Sequence, residues 1–223
     1  MSVRDISTES RIERRKKETR EKIVKVAMKL FQDQGFNNTT MEQIAEKTDI
    51  ARKTLYNYFP VKEAIVDEYV RGISEKLAGE NLETICKLPN TKSRLMASLN
   101  HTYSWVEDNR EIMGICMNYR LRNMCNDSNV QNAETGTQSI LSKIISLGQQ
   151  TGEIRKDISV KLLVTHINLL RSAMTFEWVN STSRFELHDE IAKLVDLFLY
   201  GADNRLDGTK KSELDHIISE GEL

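Results

Sequence analysis

The chain has 223 residues, 39% of them hydrophobic and 29% charged, with only ten Gly and two Pro. It is too apolar for a disordered chain and too poor in turn residues for a sheet-rich one, so an all-α protein is expected. Lys plus Arg total 32 against 33 Asp plus Glu, a formal net charge of -1, which excludes any function needing a uniformly basic or acidic chain.

No run approaches the ~18 uninterrupted apolar residues of a membrane span, and the first residues are polar and charged, unlike a secretory signal. A cytoplasmic protein without a membrane partner is expected. The cysteines, Cys86, Cys116 and Cys125, lack CxxC or Cys/His spacing, so reduced thiols are expected, with no metal and no cofactor. A nucleophile and base pair, a phosphate loop and a metal cluster are all missing, which argues against an enzyme.

The charge is unevenly divided. Residues 1 to 60 hold thirteen Lys/Arg and nine Asp/Glu, a balance of +4, leaving -5 for the remainder. Density peaks early, where Arg11, Arg14, Arg15, Lys16, Lys17, Arg20, Lys22, Lys25 and Lys29 face only Glu13, Glu18 and Glu21. Such a cluster fits either a polyanion partner or a solvated helix face. Residues 1 to 16 are expected to form a flexible basic arm, able to brush a minor groove or simply disordered.

Ile23, Ala27, Leu30 and Phe31 recur as the stripe of an amphipathic helix, expected from about Lys17 to Gln34 and stopped at Gly35. Thr39 and Thr40, each three residues before Glu42 and Gln43, fit capping boxes that open a short second helix carrying Met41, Ile44 and Ala45 inward. Thr48, Asp49 and Ile50 make a turn, and a third helix over Ala51 to Phe59 packs Leu55 and Phe59 inward while Arg52, Lys53, Tyr56 and Asn57 point elsewhere. Pro60 ends it. Two short helices joined by a tight turn describe a helix-turn-helix. Its second helix carries side chains suited to a major groove: Arg and Lys donate to guanine, Asn pairs with adenine, and Tyr adds apolar contact and a phosphate-reaching hydroxyl.

The run GFNNTTMEQIAEKTDIARKTLYNYFPVKEAI, from Gly35 to Ile65, resembles the DNA-binding domain of the TetR family of bacterial transcriptional regulators. The resemblance implies base contacts by Arg52, Lys53, Tyr56 and Asn57, and phosphate contacts by Thr40, Thr54, Tyr58 and Lys62. Free amides at helix N-termini suit the phosphate role of Thr40 and Lys62. Three positions depart from the family pattern: Asp49 stands where Gly is common, Ala51 replaces a capping Ser, and Lys53 stands where many relatives have Gly. The operator therefore cannot be copied from a relative.

A fourth helix begins near Val61 and carries Ile65, Val66, Tyr69, Val70, Ile73 and Leu77, long enough to leave the first domain. It is either a transmission element or a shared core helix. Helical segments follow at about 91 to 108, 110 to 126 and 129 to 151. The run GQQTGEIRKDI, Gly148 to Ile158, is similar to a turn the family often carries before its penultimate helix, with a fresh start at Asp157 or Ser159. An eighth helix over about Ser159 to Asn180 and a ninth over Glu186 to Tyr200 complete the pattern. The resemblance implies a homodimer through these two, with Ile191, Leu194, Val195, Phe198 and Leu199 as the broad apolar face. Two-fold symmetry would then match two DNA half-sites.

Trp105, Met113, Cys116, Met117, Tyr119, Met124, His166, Met174 and Trp178 are either the adaptable lining of a pocket for a partly apolar small-molecule effector or ordinary core. Arg120, Arg122 and Arg171 suit an acidic ligand or surface ion pairs. His101 and His166 lack the neighbours of a metal site. Leu214, Ile217 and Ile218 suggest one short helix in the tail.

The expected organisation is therefore a basic arm (1–16), a helix-turn-helix domain (17–62), a helical ligand-binding and dimerisation domain (63–203) and a polar tail (204–223). The expected function is a ligand-responsive repressor, released from a palindromic double-stranded DNA operator by a small molecule. A helical adaptor or ligand carrier independent of DNA, and an activator of the same family, remain open.

Overall fold

The computed structural model describes residues 3–123, 136–181 and 185–201. Met124, Cys125 and the tail with Leu214, Ile217 and Ile218 lie outside the described residues. Nine helices are described, with no strand among the described residues: α1 (Val3–Gln34), α2 (Met41–Thr48), α3 (Arg52–Tyr58), α4 (Lys62–Cys86), α5 (Thr91–Asp108), α6 (Arg110–Asn123), α7 (Gly136–Thr151), α8 (Val160–Asn180) and α9 (Leu187–Tyr200). The helical expectation holds throughout the described chain.

The first correction concerns the N-terminus. α1 begins at Val3 instead of Lys17, so residues 3–16 of the stretch expected as a flexible arm continue the helix. Neither Gly nor Pro interrupts 3–34, and the alternating charges form (i, i+4) pairs, Arg14 with Glu18 at 3.5 Å and Lys17 with Glu21 at 4.0 Å, that support an exposed helix.

Two cores follow in chain order. Ile23, Ala27, Met41, Ile44, Ala45, Leu55, Phe59 and Ile65 close the first around α1 to α3 and the start of α4. Val66 and Val70 belong to the second, with Ile85, Leu95, Leu99, Tyr103, Leu141, Ile144, Ile167, Ile191 and Val195. The division falls inside α4, between Ile65 and Val66, so one helix is built into both. Phe31 packs against both cores, and its ring meets that of Phe36 at 5.0 Å between centroids.

The 148–158 turn holds the second domain together. Gly148 lies so close to α5 that an added Cβ would sit 2.5 Å from Thr91 Oγ1 and 2.7 Å from Ile154 Cγ1. Gly152 closes α7 in the left-handed region at φ +82°. Glu153 then accepts the Thr91 amide hydrogen at 2.5 Å, satisfying a free donor at the start of α5, and its other oxygen lies 3.5 Å from the buried Arg94. Ser159, not Asp157, caps α8 through the Leu162 amide.

Hydrogen bonds from the Thr91 amide and the Thr151 hydroxyl hold the Glu153 carboxyl below the ordinary carboxylate range. A carboxyl depressed in the folded state stabilises above its unfolded value, and that contribution disappears as pH falls through the folded value. Glu153→Gln is therefore expected to melt earlier than wild type at neutral pH, with the gap closing in acid below about pH 4. Thermal unfolding of both proteins across pH tests this; a gap that persists in acid would assign the loss to packing instead.

Candidate functional site

The helix-turn-helix is built by local capping and by long-range bonds from two lysines. Thr40 accepts from the Gln43 amide at 3.2 Å while Gln43 Oε1 accepts from the Thr40 amide at 2.9 Å, a complete capping box. Its neighbour Thr39 is buried and donates to the Gly35 carbonyl at 2.9 Å, fixing the loop between α1 and α2. α2 ends at Asp49, which takes the left-handed conformation at φ 58° and returns its amide to Ala45 and Glu46. Lys22 on α1 donates to the Thr48 carbonyl at 2.6 Å and so clamps the α2–α3 turn.

α3 starts at Ala51 without a side-chain cap, the loss expected from that residue. Leu55 and Phe59 are buried and orient the helix, and Arg20 lies over the Phe59 ring at 4.7 Å. Arg52, Lys53, Tyr56 and Asn57 are all exposed, on the side away from the core. Thr40 is exposed at the start of α2, while Thr54 and Tyr58 are half-buried at the edge of α3. All eight expected DNA-contacting residues, Lys62 included, thus keep at least part of their surface exposed.

Lys62 departs from expectation. Its ammonium donates to the carbonyls of Phe36 at 2.7 Å and Thr39 at 2.6 Å and lies 4.5 Å from the Phe36 ring centroid. Two of its three protons are spent tying α4 to the α1–α2 loop, so its first role is structural, with one proton left for a phosphate.

α4 leaves this domain with two adjacent carboxylates facing different partners. Glu68 meets Arg20 of α1 at 3.1 Å and Arg71 at 2.5 Å. Asp67 accepts from Arg120 Nε of α6 at 2.5 Å and from the Cys116 thiol at 3.4 Å. Burial pushes the Cys116 thiol up to about 12, so it stays protonated and serves as a donor. Arg120 is thereby accounted for by an internal ion pair.

The expected effector residues require correction. Met113, Cys116, Met117 and Trp178 are buried in the second core, with Trp105 and Met174 packed at its edge. Trp178 is further fixed by Arg110, which lies 4.8 Å from its ring and donates to its carbonyl at 2.8 Å. His166 is exposed on α8, outside that core, because the periodicity that buries Leu163 and Ile167 turns it outward. A cleft of about 370 Å³ opens elsewhere, between α4 and α7, lined by Glu75, Ala78, Gly79, Leu82, Gly136, Ser139, Ile140 and Lys143. Sequence reasoning missed these residues. The available signal was the small pair Ala78 and Gly79 inside a helix, where glycine is costly; an added Cβ at Gly79 meets open space.

The expected dimer residues also need correction. Ile191, Leu194 and Val195 are buried within the subunit, with Phe198 and Leu199 half-buried, because the inner face of α9 packs on α5 and α8. Exposed apolar side chains on these helices are instead Leu162 and Leu169 of α8 and Leu197 and Tyr200 of α9. Among the described residues there is no cluster of metal-binding side chains and no helix long and apolar enough to cross a membrane.

A helix-turn-helix with an exposed Arg-Lys-Tyr-Asn face, joined through a shared helix to a larger helical domain, defines the class of DNA-binding transcriptional regulators. Residues 23–69 match the family of bacterial regulatory proteins described as the tetR family. The chain therefore carries a tetR-family DNA-binding domain over those residues. It is similar to the HTH-type transcriptional repressor KstR2 of Rhodococcus jostii, 26% identical over 64% of this chain and 71% of that protein. It is also similar to the fatty acid metabolism regulator protein of Bacillus subtilis, 21% identical over 82% of this chain and 95% of that protein. Among solved structures, the fold matches FadR of Thermus thermophilus, a TetR family repressor in complex with lauroyl-CoA. That match has a TM-score of 0.71 and 22% identity and covers 85% of this chain and 98% of the other. FadR of Bacillus subtilis in complex with stearoyl-CoA matches at a TM-score of 0.58 and 20% identity, over 82% of this chain and 99% of the other.

Proposed function

We propose that the protein is a homodimeric cytoplasmic repressor that holds a palindromic operator and releases it on binding a small molecule with an apolar chain. The observation that carries this reading is the α3 face, where Arg52, Lys53, Tyr56 and Asn57 stand exposed on a helix anchored by Leu55 and Phe59. In this reading Arg52, Lys53, Tyr56 and Asn57 reach base edges, while Thr40, Thr54 and Tyr58 hold phosphates. Two subunits place their α3 helices about 34 to 36 Å apart, one DNA turn. The exposed Leu162, Leu169, Leu197 and Tyr200 supply the apolar surface that pairs the subunits.

The effector enters the second domain at the cleft between α4 and α7, whose walls mix Ala78, Leu82 and Ile140 with Glu75 and Lys143. Two structural neighbours hold lauroyl-CoA and stearoyl-CoA, which makes acyl-CoA thioesters the first class to test. Release requires only that the ligand bind the non-operator state more tightly than the operator-bound one.

The test is selection of fragments from a genomic DNA library by wild type and by the Arg52→Ala, Tyr56→Ala double variant, followed by titration of the recovered fragment with lauroyl-CoA. A palindrome enriched by wild type alone is expected, with Arg52→Ala by itself weakening binding by about 1 to 3 kcal/mol and relaxing one base position. Equal recovery by both proteins would overturn the DNA assignment. Retention of DNA at saturating lauroyl-CoA would remove that effector class.

A further inference from the structure

The basic start of α1 is unabsorbed by the interface described above. Residues 11–18 are all exposed and none belongs to either core, yet this stretch carries Arg11, Arg14, Arg15, Lys16 and Lys17 against Glu13 and Glu18. Arg14 and Lys17 are partly neutralised by Glu18 and Glu21, whereas Arg15 and Lys16 have no ion pair among the described residues. Arg11 and Arg15 are like charges four residues apart on one face of a solvated helix and repel, so a partner of opposite sign stabilises the stretch.

The direction of these charges follows from helical phase. Lys22, which reaches the Thr48 carbonyl just ahead of the recognition helix, fixes which face of α1 looks toward the α2–α3 turn. Arg15 lies about two turns and Arg11 about three turns before Lys22, on the same face of the helix. Arg20, over the Phe59 ring, fixes α1 against the far end of α3. The helix therefore leaves the domain beside α3 with its Arg11–Arg15 face continuing the side occupied by the turn. The stretch from Arg11 to Lys17 covers a length over which a duplex carries about six phosphates.

We propose that the first turns of α1 form a second DNA-binding surface, in which Arg11 and Arg15 hold backbone phosphates of the duplex flanking the bases contacted by α3. This rests on the DNA-binding reading above and extends it from one helix to two. The surface carries no base specificity. It lengthens the footprint and raises the electrostatic part of affinity.

The experiment compares wild type with Arg11→Gln, Arg15→Gln on the fragment recovered in the genomic selection, cut either to the palindrome alone or to the palindrome with ten extra base pairs on each side. Wild type should gain affinity from the flanks and the variant should not. The slope of log affinity against log salt should fall by about 2 per subunit on the long duplex. Both side chains are exposed, so the circular dichroism spectrum should be unchanged. An unchanged slope with an unchanged gain from the flanks overturns the inference while leaving the α3 reading intact. Failure of wild type to outperform Arg52→Ala, Tyr56→Ala on any fragment overturns both. Vesicles of anionic phosphatidylglycerol form the third arm: loss of vesicle binding in the variant, with the DNA slope unchanged, would make this a membrane contact and overturn the inference.

Discussion

Gly136→Ala is expected to lower the stability of the folded protein by roughly 2 to 3 kcal/mol. Gly136 opens α7 against the backbone of α4, and an added Cβ would collide with the Ser74 carbonyl oxygen while sitting 2.5 Å from Glu75 Cα and 2.6 Å from Glu75 N. All three atoms are main chain inside a helix, so no side chain can turn away to make room. The helices must part instead, breaking the bonds that hold this crossing: Thr137 donates its amide to Ser74 Oγ at 3.0 Å, and the two hydroxyls lie 2.8 Å apart. Alanine's better helix propensity offsets less than 1 kcal/mol, because the site is at the helix start. Urea unfolding at unchanged slope measures the loss; a shift below about 0.5 kcal/mol would mean the crossing is looser than described.

Asp67→Ala is expected to cost about 1 to 3 kcal/mol, less than a fully buried pair because the Asp67 and Arg120 side chains keep 21% and 29% of their surface exposed. The loss leaves the Arg120 guanidinium and the Cys116 thiol without their shared acceptor inside the second domain. Arg120→Ala should destabilise by a similar amount, and the double variant by clearly less than the sum, with an interaction energy of about 1 kcal/mol. The cycle is measured by denaturant unfolding. Additive losses would show that the two residues act independently.

The helix-turn-helix was legible because its determinants are local. The stop at Gly35, the capping box of Thr40 with Gln43, the left-handed Asp49 and the spacing of Leu55 from Phe59 all lie within a few residues of what they control. The lysines were less legible. Lys22 and Lys62 each reach a carbonyl 26 positions away, and sequence gives their charge but not the direction of their stems. In the second domain an apolar stripe announces burial without saying against what. Ile191, Leu194 and Val195 turned out to face their own subunit, and the exposed apolar surface moved to Leu197 and Tyr200. Met113, Cys116, Met117 and Trp178 were likewise core, and the cleft arose where side chains are small, at Ala78 and Gly79.

The shared helix also limits how such proteins can be recombined. Asp67 and Glu68 are consecutive, yet one is bonded to α6 of the larger domain and the other to α1 of the smaller. No stretch of chain between the domains is free of obligations to both. A chimera joined ahead of Lys62 would import a foreign α4 and forfeit the bonds from Lys62 to the Phe36 and Thr39 carbonyls. One joined after Arg71 would keep those bonds and the Arg20–Glu68 pair, but would need an arginine waiting for Asp67 in its new host. The two domains are separate in their cores and inseparable at their seam.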